Sequence, residues 1–117
     1  MNTALANPTA SLPPEVAGFC IRAVEALRAK LPVREVWLFG SYAEGRANEH
    51  SDVDLLVVLA DDHGIRRPNL ESYSAVRAVA DTQAADVMAI SESRWRYEQD
   101  EPWGFYGDIA TKGVRVG

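Results

Sequence analysis

The chain has 117 residues, of which 47% are hydrophobic and 25% charged, values that fit one globular domain and exclude a wholly disordered chain. Its formal net charge is −5 with dispersed basic residues, which argues against a nucleic-acid substrate, since phosphate-backbone binding depends on clustered Lys and Arg. The single cysteine, Cys20, excludes an intrachain disulfide, and we find neither a secretory signal nor a membrane-length apolar run. We therefore expect a cytoplasmic protein without a membrane segment.

The hydrophobic pattern predicts an alternation of helices and strands. Residues 1–12 are rich in Ala, Asn, Thr and Pro and are predicted to be a flexible leader, followed by a single domain over 13–117. The predicted elements of that domain, in chain order, are a helix over 13–31, a strand over 33–39, a polar turn over 40–51 containing one helical turn, a strand over 52–59, a loop over 61–69, a helix over 70–80, a strand over 85–90 and a segment over 93–112 that is helical at both ends. Cys20 lies on the apolar face of the first helix, which indicates a buried side chain rather than a nucleophile.

Two aspartates open the second predicted strand, in the sequence Asp52-Val53-Asp54. Because side chains alternate faces along a strand, both carboxylates are expected on one face. Neighbouring anions repel each other unless a cation lies between them, and Mg²⁺ prefers carboxylate oxygens. The pair therefore indicates a metal site, although an isolated pair of this kind is also typical of exposed strand or turn acids.

A glycine–serine pair, Gly40 and Ser41, directly follows the first predicted strand. Glycine lets the backbone approach an anion closely, and the N–H groups of such a turn can hold phosphate. A phosphate-binding turn shortly before paired carboxylates is what nucleotidyl transfer requires. Ser41 and Glu44 also fit the S-x-x-E capping box of a helix N-terminus, which is compatible with phosphate binding except for the negative charge of Glu44.

Asp86 is the third candidate carboxylate and lies near the start of the strand predicted over 85–90. A carboxylate that enters a buried strand is costly without a partner. If this strand neighbours the one that carries Asp52 and Asp54, Asp86 completes a three-carboxylate metal site. The alternative is an ordinary acid at a strand edge or turn.

The combined motif, Gly40-Ser41 followed by Ser51-Asp52-Val53-Asp54-Leu55, resembles the signature of the DNA polymerase β-like nucleotidyltransferase superfamily. The resemblance covers nearly the whole chain and is greatest to the minimal stand-alone members, the MNT proteins. It implies an α/β (α+β) fold like the polymerase palm, with a short mixed β-sheet and flanking helices.

The resemblance also implies roles for individual residues. Asp52, Asp54 and Asp86 would be the catalytic carboxylates and would bind two Mg²⁺ ions, with Mn²⁺ as the alternative metal. Gly40 and Ser41 would hold the β- and γ-phosphates of the substrate ATP. Many members carry arginine at position 44, where this chain has Glu44, so Arg46 is the remaining candidate for a basic contact to the nucleotide.

MNT proteins commonly pair with a helical HEPN-domain protein as the antitoxin of a toxin–antitoxin system, and transfer AMP to a tyrosine of that partner. The resemblance therefore implies an Mg²⁺-dependent nucleotidyltransferase that transfers AMP from ATP to a hydroxyl group, in the first instance a tyrosine of a HEPN toxin.

Two alternatives stay open. One is a binding module of weak catalytic activity that neutralises its partner by contact, which Glu44 and an aromatic C-terminal segment favour. The other is a nucleotidyltransferase that acts on an aminoglycoside or another small alcohol. The aromatic residues of that segment, which are typical of a core and of an interface alike, are Trp95, Tyr97, Trp103, Phe105 and Tyr106.

Overall fold

A computed structural model describes residues 12–117, so the predicted leader lies outside the described residues except for Leu12. The elements of the described range, in chain order, are α1 (Pro14–Lys30), β1 (Val33–Phe39), β2 (Val53–Leu59), α2 (Pro68–Arg77), β3 (Ala85–Ser91), α3 (Glu92–Glu98), α4 (Phe105–Lys112) and β4 (Val114–Arg115). No helix within this range is both long and apolar enough to span a membrane.

The four strands form one mixed sheet in the order β3-β2-β1-β4. β1 runs antiparallel to both of its neighbours, whereas β2 and β3 run parallel. Parallel strands need a crossover connection, and α2 supplies it. The predicted fold class, a short mixed sheet with flanking helices, is confirmed.

One face of the sheet packs against α1 and α2. Apolar residues of α1 recur at three- and four-residue steps and are buried against alternate residues of β2, such as Leu55 and Val57. Cys20 belongs to this layer with 1% of its surface exposed, and burial raises the pKa of its thiol to about 11. The prediction that Cys20 is buried is confirmed.

The other face of the sheet packs against α3 and α4. Leu56 and Val58 of β2, which alternate with the residues of the first layer, form a second cluster with Trp95 of α3 and Ile109 of α4. The carboxylate of Glu35 accepts hydrogen bonds from two indoles in this layer, from Nε1 of Trp37 at 2.8 Å and from Nε1 of Trp95 at 3.3 Å. One glutamate thus satisfies both tryptophan donors.

Glu35→Ala is therefore expected to lower the free energy of unfolding by about 2 kcal/mol, because the indole N–H of the buried Trp95 loses its acceptor. Urea unfolding followed by tryptophan fluorescence measures the change. Glu25→Ala, at an exposed position of α1, is the matched control and is expected to be nearly neutral. Equal stability of the two variants would show that the two indole bonds contribute little.

Two element predictions were incomplete. α2 spans Pro68–Arg77 and not the predicted 70–80. It begins two residues earlier, because proline is favourable in the first turn of a helix, and it ends three residues sooner. β4 was not predicted, since two residues carry no alternation pattern and its pairing with Trp37 and Leu38 comes from the fold.

β3 lies at one edge of the sheet. The backbone N–H of Ala89 in this strand donates a hydrogen bond to the side-chain oxygen Oδ1 of Asn69 in α2, at 2.7 Å. A side chain of the crossover helix α2 thereby accepts a hydrogen bond from a backbone N–H group of the edge strand β3.

Candidate active site

The end of β1 and the starts of β2 and β3 meet at one edge of the sheet, and the candidate carboxylates lie there. Phe39 of β1 is the Cα partner of Asp54 in β2, and Asp54 is in turn the Cα partner of Asp86 in β3. Leu56, two residues after Asp54, lies in the layer beneath α3 and α4, so Asp54 is on that same face. The sheet register thus places Asp54 between an aromatic side chain and a second carboxylate.

Asp54 is half-buried, and its environment raises the pKa of its carboxyl group from 3.8 to about 6. Burial is the largest cause, followed by the negative charges of Asp86 and then Asp52, and by a side-chain hydrogen bond with Asp86. The three carboxylates therefore share one region of negative potential, which a divalent cation would relieve.

The three aspartates differ in their exposure and in their position relative to the strands. Asp86 is exposed in β3, whereas Asp52 is exposed just before β2, which begins one residue later than predicted. Nowhere in residues 12–117 do three carboxylate, imidazole or thiol side chains lie close enough together to hold a metal ion. The register brings Asp54 and Asp86 side by side, whereas Asp52 lies one residue before β2. As hard oxygen donors, these residues fit Mg²⁺ in their chemistry.

Gly40 ends β1 in the left-handed backbone region, with φ of +79°, where glycine is favoured. A Cβ atom at this position would collide with Oδ2 of Asp54. Gly40 was predicted to let the backbone approach an anion. Its lack of a side chain also leaves room for the Asp54 carboxylate.

Residues 41–45 form a turn that contains no assigned helix. The backbone N–H of Glu44 donates to the carbonyl of Gly40 at 3.1 Å, closing a single turn of helical spacing, and the carboxylate Oε1 of Glu44 lies 3.4 Å from Nε of Arg46. The capping-box interpretation of Ser41 and Glu44 is therefore wrong, because Glu44 pairs forward with Arg46 instead of reaching back to Ser41. Arg46 lies near the turn, but Glu44 offsets its charge.

A cleft of about 520 Å³ adjoins Asp52 and was missed by sequence reasoning. Tyr73 and Arg77 of α2 line one wall, and the segment over 81–85 lines the other. No motif could have identified these two side chains, since the packing of α2 beside β3 is what carries them to Asp52. The cleft places a tyrosine and an arginine beside Asp52, on the side of the sheet that α2 covers.

The chain is similar in sequence to known nucleotidyltransferases. A family model described as nucleotidyltransferase domain matches residues 20–103. A stretch of 31 residues is 58% identical to the protein adenylyltransferase MntA of Thermococcus cleftensis, which is 26% of this chain and about a third (31%) of that relative's length.

Two solved structures share the fold. A Sulfolobus solfataricus protein assigned as a nucleotidyltransferase superimposes with a TM-score of 0.56 at 20% identity, over 98% of this chain and 86% of the other. A chain of a toxin–antitoxin complex solved with AMP-PNP superimposes with a TM-score of 0.56 at 21% identity, over 84% of this chain and 72% of the other. Because the family model matches more than half of the chain, the chain belongs to the nucleotidyltransferase domain family.

Proposed function

We propose that this chain transfers AMP from ATP to a hydroxyl group of a protein, in a reaction that depends on Mg²⁺. The observation that carries the proposal is the position of Asp54, in register with Asp86 on one side and packed under Gly40 on the other. The 58% identity to a protein adenylyltransferase over 31 residues supports AMP as the transferred group and a protein as the acceptor.

In this proposal Asp52, Asp54 and Asp86 would hold the metal, which would neutralise the charges of the carboxylates and the phosphates and lower the pKa of the acceptor hydroxyl. Backbone N–H groups of the turn at Gly40 and Ser41 hold the β- and γ-phosphates. The acceptor oxygen forms a bond to the α-phosphorus, and the bond from that phosphorus to the bridging oxygen breaks and releases pyrophosphate. Asp86, the more exposed of the two paired carboxylates, accepts the hydroxyl proton.

The proposed acceptor is a tyrosine of a HEPN-domain toxin, with this chain as the antitoxin. The similarity to an MntA adenylyltransferase and the fold shared with a toxin–antitoxin complex support a toxin as the partner. The net charge of −5 also favours a protein over a nucleic acid as the acceptor.

Incubation with α-labelled ATP, Mg²⁺ and a purified HEPN-domain protein from the same organism tests the proposal. Label is expected on a tyrosine of that protein and is expected to disappear with Asp52→Ala plus Asp54→Ala. Asp62→Ala, an exposed aspartate beyond the opposite end of β2, is the matched control and retains activity. Label on an aminoglycoside or another small alcohol, with none on the protein, would overturn the protein acceptor while keeping the chemistry.

A specific observation favours a second candidate, a binding module that neutralises its partner by contact. The ion pair between Glu44 and Arg46 offsets positive charge beside the proposed phosphate site. If the doubly substituted Asp52→Ala, Asp54→Ala protein still neutralised the toxin in cells, contact rather than catalysis would be the mechanism.

The same ion pair leads to a prediction about nucleotide affinity. Glu44→Arg is expected to tighten ATP binding about fivefold, because it releases Arg46 and adds a cation beside the turn. Calorimetry with ATP and Mg²⁺ measures the change, which is expected to shrink at high salt. Glu25→Arg makes the same charge change on an exposed part of α1 and is expected to leave the affinity unchanged. An equal gain from both variants would point to net charge rather than to the turn.

A further inference from the structure

Three large aromatic side chains are exposed within nine residues of the C-terminal segment. Tyr97 near the end of α3 is 74% exposed, Trp103 in the following loop 94%, and Phe105 at the start of α4 53%. Single exposed apolar residues are ordinary, whereas three exposed aromatic residues within one short segment are unusual and are typical of a binding surface.

The loop that carries Trp103 is stabilised by hydrogen bonds of its own backbone. The N–H of Glu101 donates to the carbonyl of Glu98 at 3.1 Å, and the N–H of Gly104 donates to the carbonyl of Glu101 at 3.0 Å. Gly107 of α4 is buried against the carbonyl of Glu101, where any Cβ would collide. Trp103 therefore projects from a fixed turn, which lowers the entropic cost of binding through it.

This segment adjoins the candidate active site. The ring of Phe105 packs edge-to-face on Phe39 with ring centroids 5.7 Å apart, and Phe39 is the Cα partner of Asp54. A molecule that covers Phe105 is thus placed beside the carboxylates on the same face of the sheet.

The charge of the segment restricts what can bind there. Residues 97–108 contain four acidic side chains and no Lys or Arg. Two of the four acids are offset, since Glu98 lies 3.2 Å from Arg94 and Asp108 lies 3.2 Å from Lys112. Among the ion pairs of residues 12–117, none involves Asp100 or Glu101. Electrostatic repulsion disfavours a second copy of the chain, a nucleic acid or an anionic membrane, and a basic protein surface is complementary.

We infer that Tyr97, Asp100, Glu101, Trp103 and Phe105 form the docking surface for the protein acceptor. The partner of this docking surface is a protein face with apolar residues flanked by Lys or Arg, and docking brings its hydroxyl group to the carboxylates. The inference rests on the proposed function and deepens it, because it assigns the acceptor to one side of the molecule.

The test measures binding of the HEPN-domain protein to the full chain by calorimetry, together with the rate of AMP transfer. Trp103→Ala is expected to weaken binding at least about tenfold and to raise KM for the acceptor more than it lowers kcat. Asp100→Lys with Glu101→Lys is expected to weaken binding about tenfold and to reduce its dependence on salt. Ile21→Ala removes an apolar residue of α1 that is 55% exposed and is the control, expected to match the wild type.

Binding of ATP with Mg²⁺ is expected to stay within about twofold of the wild type in every variant, since the docking surface leaves the turn and the aspartates untouched. If the wild type labels the HEPN-domain protein and Trp103→Ala and the double lysine variant do so with unchanged affinity and KM, the assignment of the surface is wrong while the proposed function stands. If the wild type binds ATP but neither binds nor labels that protein, the proposed partner fails and the docking surface falls with it.

Discussion

Asp54→Asn is expected to reduce AMP transfer at least about a hundredfold, because asparagine cannot supply the carboxylate at the centre of the site. Asn has nearly the same shape as Asp, so the sheet register with Phe39 and Asp86 is expected to be kept. The rate of labelling of the acceptor by ATP at saturating Mg²⁺ measures the loss.

The same substitution is expected to stabilise the protein in EDTA at pH 7.5. The folded state raises the pKa of Asp54 to about 6, above its ordinary 3.8, so the unfolded carboxyl ionises at lower pH than the folded one. The protonated Asp54 carboxyl group stabilises the folded state fully below about pH 4. This contribution is lost as the pH rises to about 6, and above that pH the ionised carboxylate opposes folding. Allowing for solvent screening of a half-buried group, we expect Asn to gain about 1 kcal/mol, or roughly 4 °C in Tm.

Thermal unfolding at pH 7.5 and near pH 4 distinguishes the removal of the Asp54 charge from a change in stability that does not depend on pH. Asp54→Asn is expected to have a higher Tm than the wild type at pH 7.5 and the same Tm near pH 4. Asp62→Asn, at an exposed position, provides the control at both values. A variant that melts below the wild type at pH 7.5, or that transfers AMP at the normal rate, would contradict the assigned position of Asp54.

Gly40→Ala is expected to reduce both stability and ATP binding. The left-handed backbone at φ +79° costs a residue with a Cβ atom about 1–2 kcal/mol, and the new methyl group would also displace the Asp54 carboxylate. We expect ATP affinity with Mg²⁺ to fall at least about tenfold, because the metal and phosphate groups then lose their common geometry.

Gly45→Ala provides an unusually close control for this experiment. Gly45 has nearly the same backbone, with φ of +74°, yet an added Cβ there would have no neighbour within 4 Å. Both variants carry the backbone strain, and only Gly40→Ala carries the collision. If calorimetry gave equal ATP affinities for the two, close contact between Gly40 and Asp54 would not matter for nucleotide binding.

Several features of this fold could be predicted from the sequence because they depend on local periodicity. The three- and four-residue spacing around Phe19 and Leu27 predicted α1, and β1 was predicted with the bounds that the structure has. The apolar run after Asp54 predicted a central strand, and β2 has neighbours on both sides. In each case burial of side chains a few residues apart decides the element.

Features that depend on distant partners could not be predicted in this way. The capping box of Ser41 and Glu44 was a plausible local pattern. In the structure, however, the Glu44 carboxylate pairs with Arg46, and the N–H of Glu44 donates to the carbonyl of Gly40. The parallel pairing of Asp54 with Asp86 was only conditional in the sequence, since no residue pattern specifies which strands are neighbours. The packing of Gly40 on the Asp54 carboxylate is likewise visible only in three dimensions.

The hydrogen bond from Ala89 to Asn69 has a consequence for association with other chains. An edge strand with free N–H groups is a template for a foreign strand, and pairing of that kind leads to fibres and aggregates. At Ala89 an incoming strand must first displace the Asn69 side chain, which already sits 2.7 Å from the donor. The Asn69 side chain of α2 thereby disfavours unspecific strand pairing at this position of the edge strand β3.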